Sequence, residues 1–487
     1  MKKIIVILIF LSLFLFSCNN KKNNNDDPVI PVDHDPVDPV DQDPVDPVDP
    51  DPDDEHICHD FKTVIVGEYK CGEEFEIQVI CKECGKIKET RTHVKEHDFI
   101  TDSKEPTCTV DGYEKKYCLD CDYVEYNYKF TKLGHNYEYR VSEEMTEESI
   151  GKKEYYCTRC NEVLKTVNFV PNGFRDHGKL SVSGCDLVDM NGEKFQLIGL
   201  STHGLQWFGK YVNFDTFDAI HNEFYNNVFR LSLYTSEDGY CECDATTKEN
   251  LYKRVSDGIK IALKCDCYVI VDWHMLGAEN ENDKNPLYYL EEAKEFFTRI
   301  SSDFKDYDNV LYEIMNEPCG KTTWEDCKTY ANAIIPIIRE NTDAIILVGN
   351  PKWSADLVSV MNDPLEGYDN IMYTFHFYAN DSYDQTRLTN AYDNGLPVFV
   401  TEHGGMEASG DGAMDYTCLT KWYKEMDERN ISYVAWNISN SKGSASIIKY
   451  NDSTLKDFSD RRLKEWGIYY KNHIHEEMGI VELLKNE

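Results

Sequence analysis

Hydrophobic residues change their spacing several times along this chain. An apolar run at 4–16, interrupted only by Ser12, follows Lys2 and Lys3 and gives way to Ser17 and Cys18. A run of that length is short for a membrane-spanning helix and suits the apolar segment of an export signal. Residues 26–55 then hold isolated valines between Asp and Pro, a pattern that forbids helix and sheet. Between 56 and 165 an aromatic ring returns two residues after a histidine or its equivalent, in His59-Asp60-Phe61, His97-Asp98-Phe99 and His135-Asn136-Tyr137, at a period of 38. Such a period marks a repeated supersecondary unit.

From about residue 178 the pattern becomes apolar bursts separated by amphipathic stretches. The bursts fall at 195–200, 227–234, 268–273, 310–315, 344–349, 371–378, 397–401 and 432–437. They are rich in β-branched and aromatic residues and nearly continuous in apolarity, which predicts strands buried on both faces. Stretches such as 290–300 and 327–338 read as amphipathic helices. Eight strand and helix units in about 260 residues match a (β/α)8 barrel, an α/β fold, spanning 178–475. Ahead of the first strand, 180–197 reads as a hairpin turning at Asn191-Gly192 and covering the barrel floor.

Charge sharpens the picture of the N-terminal part. The chain has 51 Lys plus Arg against 88 Asp plus Glu, a net charge of −37, which argues against nucleic acid or anionic lipid as a partner. Residues 26–55 alone carry 13 acidic residues, no Lys or Arg, and 8 of the 16 prolines. Like charges and frequent proline make 19–55 an extended spacer reaching roughly 90 Å at about 3.1 Å per residue. The preceding Leu15-Phe16-Ser17-Cys18 resembles a bacterial lipobox, so residues 1–18 are expected to be a lipoprotein signal with Cys18 lipidated. An exported, monomeric protein anchored to a bacterial cell surface is the expectation.

Each histidine motif in 56–165 is followed by a CxxC: Cys81 with Cys84, Cys118 with Cys121, and Cys157 with Cys160. Repeats one and two also place a lone cysteine ten residues before it, Cys71 and Cys108, whereas repeat three has Ile150 near that place. One His and three Cys match the ligand count of a tetrahedral structural zinc site. The expected sets are His59, Cys71, Cys81 and Cys84, then His97, Cys108, Cys118 and Cys121, with repeat three incomplete. Disulfides are the alternative in an exported protein, but they do not explain a histidine recurring in phase with the cysteines. The array resembles the zinc-ribbon-like repeats beside export tethers in bacterial surface proteins. The cysteines of the barrel, at 185, 241, 243, 265, 267, 319, 327 and 418, show no metal-ligand company, and their pairing is open.

In a (β/α)8 barrel, chemistry sits at the C-terminal strand ends. The polar residues there are His203, Arg230, His274, Asn316 with Glu317, His376 with Tyr378, Glu402 and Trp436. Two carboxylates, Glu317 and Glu402, each follow an apolar strand, and a facing pair is what glycosidic cleavage requires. The segments 201–207 (STHGLQW), 271–274 (VDWH), 312–318 (YEIMNEP), 373–378 (YTFHFY), 401–404 (TEHG) and 435–437 (AWN) together resemble glycoside hydrolase family five, nearest its bacterial endoglucanase branch. The resemblance covers about residues 178–440.

It implies a retaining endo-β-1,4-glucanase acting on cellulose or related β-glucans without a cofactor for catalysis. Glu317 would be the general acid and base and Glu402 the nucleophile, with Arg230 and Tyr378 keeping Glu402 ionised. His376 would sit near the acid and Asn316 would bond the sugar 2-hydroxyl. His203, Trp207, His274 and Trp436 would line the negative subsites, with Tyr234 in the same cleft, while Trp273 is expected to pack. Two departures stand out: His403 where relatives commonly have an aromatic after the nucleophile, and Lys442 displaced by one residue after Trp436. Loops set substrate preference, so mannan, xyloglucan and mixed-linkage glucan are alternatives, and a non-catalytic glycan-binding barrel is a distant one.

Overall fold

The computed structural model describes residues 59–276 and 284–485. The expected signal, Cys18 and the Asp/Pro spacer lie outside the described residues. Among those described, no helix is long and apolar enough to cross a membrane. The chain divides into two compact units, residues up to 100 with 117–124, and 101–116 with 125–487.

Each repeat is a three-stranded sheet. The strands run in chain order in every one: β1 (Phe61–Val66), β2 (Glu74–Cys81) and β3 (Ile87–Val94); β4 (Phe99–Lys104), β5 (Gly112–Cys118) and β6 (Val124–Phe130); β7 (Tyr137–Glu143), β8 (Gly151–Cys157) and β9 (Val163–Phe169). The first cysteine of each CxxC ends the middle strand, and the next residue's N–H is held by the residue after that repeat's own histidine: Lys82 by the carbonyl of Asp60, Leu119 by that of Asp98, Thr158 by that of Asn136. His and CxxC of one repeat are therefore tied together. The lone cysteine is tied elsewhere. Cys71 bridges to Lys95, two residues before His97, and the carbonyl of Cys108 accepts from the N–H of Gly134, next to His135.

This backbone pairing corrects the expected ligand grouping. Cys71 does not join His59, Cys81 and Cys84 but gathers with His97, Cys118 and Cys121; Cys108 leaves that set and gathers with His135, Cys157 and Cys160. Repeat three therefore holds a complete set. Ile150 is instead buried in an apolar cluster with Val170, Tyr225 and Ile480.

Repeat three is built onto the barrel. Tyr139, Tyr155 and Phe169 pack with Phe214. The Tyr139 hydroxyl donates to Asp266 at 2.6 Å and the Tyr155 hydroxyl donates to Asp218, which Lys165 also contacts. Lys153 is almost fully buried, its ammonium 5.0 Å from the Tyr139 ring centre.

A two-stranded ladder, β10 (Ser181–Ser183) and β11 (Asp186–Val188), precedes the barrel. It turns at Gly184 and Cys185, where Gly184 takes φ 65°, rather than at Asn191-Gly192, which forms a second turn carrying a single bridge, Val188 to Lys194. Leu187 and Phe195 pack with Val228, Tyr268, Leu311, Ile345, Phe399 and Val434 beneath the strands, so the segment covers the floor as expected.

The closed barrel follows in strict order: β12 (Ile198–Thr202), β13 (Val228–Tyr234), β14 (Tyr268–His274), β15 (Val310–Glu313), β16 (Ile346–Val348), β17 (Ile371–Tyr378), β18 (Val398–Gly404) and β19 (Tyr433–Ile438). Every residue of these strands is buried, as their continuous apolarity predicts. The amphipathic stretches become helices Leu290–Asp303 and Trp324–Arg339, the latter opened by a reciprocal cap between Thr323 and Asp326. Their apolar faces and the outward faces of the strands form one continuous core.

Candidate active site

Parallel strands in register place the polar strand ends around one opening. His376 pairs in register with Glu402, and Ser201 with Arg230. Arg230, fully buried, is the hub. Its Nε donates to Glu313 Oε2 at 2.6 Å, its Nη1 to Glu402 Oε2 at 3.2 Å and its Nη2 to Asn316 Oδ1 at 2.7 Å, with Asp272 Oδ2 at 3.0 Å from the same Nη2. Burial opposes the guanidinium charge, but Asp272, Glu313 and Glu402 hold Arg230 above its ordinary pKa. In return, burial pushes Glu313 up but Arg230 and His376 outweigh it, bringing Glu313 down to about 2. Asp272 goes the other way, raised well above the usual carboxylate range by burial and by its anionic neighbours.

The two strand-end carboxylates face each other. Nitrogen or oxygen atoms of Glu317, His376 and Glu402 all lie within 4.8 Å of one another. The Tyr378 hydroxyl donates to Glu402 Oε1 at 2.9 Å, so each oxygen of Glu402 accepts one hydrogen bond, from Tyr378 or Arg230. On the other carboxylate, His376 Nδ1 meets Glu317 Oε1 at 2.8 Å while its Nε2 meets Thr401 Oγ1 at 2.8 Å, and Thr401 donates on to Glu313. Burial disfavours charge on His376, but Glu313, Glu317 and Glu402 raise its pKa to about 9. An imidazolium that donates from both nitrogens fits these contacts.

A cleft of about 600 Å³ opens above this pair, lined by His203, Tyr234, His274, Glu317, His376, Tyr378, Glu402 and Trp436 among others. Tyr234 stacks on His274 at 4.2 Å between ring centres, and His274 stacks on Trp436 at 5.3 Å. Burial lowers the pKa of His203 to about 4 and of His274 to about 3, so both present neutral rings at neutral pH. Trp207 stands at the rim, 44% exposed and edge-on to Tyr234. Trp273 packs against Phe296 and Tyr240, away from the cleft. Asn316 is buried beneath the cleft, its amide donating to the Met275 carbonyl at 3.1 Å. Another hollow, of about 650 Å³ beside Tyr416 and Trp466, contains none of the strand-end residues.

Both departures acquire places. His403 is buried on the outer side of β18, its Nδ1 bonded to the Val434 carbonyl at 2.9 Å, its Nε2 to Tyr423 at 3.1 Å and its ring edge-on to Tyr433 and Trp466. It fills an aromatic slot and takes no part in the cleft. Lys442 is exposed, with its ammonium over Tyr450.

Sequence reasoning missed two groups. Asp272, two residues before His274 and hence on the same strand face, bonds His274 Nδ1 at 2.6 Å, and Glu313 anchors Arg230 and Thr401. A period of two counted back from the strand ends would have found Asp272. The second group is Lys352 and Trp353, which line the cleft after β16. Lys352, Trp353 and Ser354 adopt φ of 62°, 58° and 54°, a left-handed run fixed by Trp353 N–H to the Pro318 carbonyl and Ser354 Oγ to the Asn316 carbonyl. Non-glycine residues in this region are strained, and such strain gathers at functional sites.

Residues 188–442 match the family model Cellulase (glycosyl hydrolase family 5). Endoglucanase A of Butyrivibrio fibrisolvens is 42% identical over 302 residues, 61% of this chain and 69% of that protein. An endoglucanase of Clostridium saccharobutylicum is 39% identical over 301 residues, 61% of this chain and 65% of that one. The chain thus spans about two thirds of the length of these curated relatives. Among solved structures, the catalytic domain of Thermobifida fusca endoglucanase Cel5A in complex with cellotetraose superposes with a TM-score of 0.58 at 35% identity, covering 62% of this chain and 99% of that one.

Proposed function

The chain belongs to glycosyl hydrolase family 5, the cellulase family, and from that premise we propose that it is a retaining endo-β-1,4-glucanase cleaving cellulose and related β-glucans at a bacterial cell surface. The approach of Glu317 and Glu402 to within 4.8 Å carries the reading, because retention needs carboxyl groups about 5–5.5 Å apart with no room for an intervening water. Glu402 attacks the anomeric carbon while Glu317 gives its proton to the departing glycosidic oxygen, and a glycosyl ester on Glu402 forms. Glu317, now anionic, takes a proton from water, which attacks the same carbon and releases Glu402. Arg230 and Tyr378 each hold one oxygen of Glu402 and orient its carboxylate for attack. The imidazolium of His376 stabilises the anion left on Glu317 after proton transfer. Family members carry out this chemistry without a cofactor.

The rings of His203, Trp207, Tyr234, His274 and Trp436 form one platform for pyranose faces, and Trp353, projecting on its left-handed turn, forms another. The run 4–16 and Cys18 support a lipid anchor, and the Asp/Pro spacer supports standoff from the surface. In the repeats we infer structural metal with no part in catalysis.

Incubation with carboxymethyl cellulose, mannan and lichenan in parallel, reading reducing ends and the first anomer by NMR, tests the reading. The expected result is most activity on carboxymethyl cellulose or lichenan with a β-configured first product. An α-configured first product would overturn the retaining mechanism, and exclusive activity on mannan would overturn the substrate.

A further inference from the structure

We propose that the two cysteine and histidine clusters are structural zinc sites, each shared between consecutive repeats: Cys71 of repeat one with His97, Cys118 and Cys121 of repeat two, and Cys108 of repeat two with His135, Cys157 and Cys160 of repeat three. This deepens, and rests on, the reading of the repeats as metal-bound. In a zinc tetrahedron with Zn–S near 2.3 Å and Zn–N near 2.0–2.1 Å, sulfurs stand about 3.8 Å apart and sulfur and nitrogen about 3.5 Å. The Cys71 and Cys118 sulfurs are 3.8 Å apart, and those of Cys108 and Cys157 are 3.6 Å apart. Cys121 Sγ lies 3.4 Å from His97 Nδ1, and Cys160 Sγ lies 3.5 Å from His135 Nδ1. In each cluster all four ligand atoms lie within 4.8 Å of one another. A disulfide would hold its sulfurs at about 2.05 Å and leave the histidine without a purpose. The same edges recur in two clusters built from different residues, which a chance encounter of polar groups does not produce.

Ligation displaces three thiol protons per ion and leaves a Zn²⁺ bound by three thiolates and a neutral imidazole, of net charge −1. The arrangement gives the array a direction. Repeats two and three each supply a histidine and a CxxC to a site, and repeats one and two each lend one cysteine to the repeat that follows. Repeat three has no successor, and Glu147, ten residues before its CxxC, is exposed. It closes the series on the barrel through Ile150 and its tyrosines instead.

The test uses the full chain, with zinc measured by elemental analysis and carboxymethyl cellulose hydrolysis as the control for a folded barrel. Wild type should carry at least two zinc equivalents. Cys71→Ser, Cys118→Ser and the double variant should each lose the same single equivalent, because both residues serve one ion; Cys108→Ser, Cys157→Ser and their double should behave alike. A double variant losing two equivalents would overturn the sharing while leaving metal binding intact. A wild type with less than one equivalent and blocked thiols would overturn metal binding itself. Should the variants misfold, partial chelation of wild type followed by alkylation and peptide mass spectrometry decides: Cys71 should become reactive together with Cys118 and Cys121, and reactivity of Cys71 in step with Cys81 and Cys84 would sink the proposal.

Discussion

The barrel and the first repeat contain the same kind of bidentate ion pair in opposite surroundings. In the barrel, Arg230 grips Glu313 at 2.6 and 3.1 Å with both side chains fully buried. In the repeat, Arg91 grips Glu89 at 2.6 and 2.8 Å with both side chains about half exposed. The strands around them differ likewise: β13 is buried at every position and β3 is exposed at every position. Apolar burial of roughly 25 cal/mol per Å² can organise the first and has little to act on in the second. What the repeats share is not a core but a cysteine and histidine set. Charge in the barrel is therefore part of a preorganised site, and charge in the first repeat is solvated on an exposed sheet.

The largest effect lies in the chemistry. Glu402→Gly should abolish measurable hydrolysis. Glu317→Ala should lower kcat by about 10²–10⁴-fold, less on substrates with good leaving groups, and azide should rescue it with a β-configured product. Neither change should move the zinc content of the repeats. A Glu402→Gly enzyme that retains ordinary turnover would remove the nucleophile from the site.

Next comes the matched pair. Arg230→Met strips the cation from three buried carboxylates and should destabilise the barrel by about 3–5 kcal/mol, whereas Arg91→Met should leave the unfolding midpoint unchanged. All seven tryptophans lie at 207–466, so urea unfolding is followed by tryptophan fluorescence for the barrel and by amide exchange in β1, β2 and β3 for the first repeat. Equal shifts for the two variants would break the comparison.

The pH dependence of the barrel follows from His376. Burial lowers its pKa, but its hydrogen bond to Glu317 and the negative charges of Glu313 and Glu402 outweigh burial and raise it from 6.5 to about 9. A raised pKa contributes stability that is complete below about 6.5 and fades as pH climbs through 9. The contribution is on the order of 3 kcal/mol. Wild type should lose stability across that window by the fluorescence assay, and His376→Gln should flatten the slope. A parallel slope in the variant would mean that another group titrates there.

Much of the barrel was legible in the sequence because strands buried on both faces must be apolar throughout, which leaves polar residues conspicuous at their ends. Glu317, Glu402, His376 and Tyr378 stood out for that reason. Asp272 and Glu313 did not, since an acid inside an apolar run reads as strand content until Arg230 is known to reach it. Trp353 was hidden because its position depends on a left-handed turn of non-glycine residues that no local preference announces. The ligand grouping failed for a different reason. Spacing shows that Cys71 lies ten residues before Cys81, but only the bridge to Lys95 shows that it turns toward His97. Adjacency in sequence favoured the wrong partner.

The smallest expected effect asks where the barrel's kind of order ends. Repeat three has the same three-stranded sheet as its predecessors and the same kind of ligand set as repeat two, yet β8 alternates buried and half-buried positions, and Tyr155 sends its hydroxyl to Asp218 on the helix Phe214–Phe224. Tyr155→Phe keeps the ring and its packing and removes that hydrogen bond, leaving Asp218 with Lys165 and Asn222. A hydrogen bond to a charged group contributes about 1.5–3 kcal/mol, and the remaining partners should reduce the loss to about 1–2 kcal/mol. Amide exchange in β7, β8 and β9 should then quicken roughly tenfold, while glucanase activity and zinc content stay at wild-type levels. Tyr128→Phe, at an exposed ring on β6, should change nothing. If exchange in β7–β9 is unmoved by Tyr155→Phe but rises on chelation alone, repeat three belongs energetically with the metal-held array; if the tyrosine matters, the barrel's packed order extends through it.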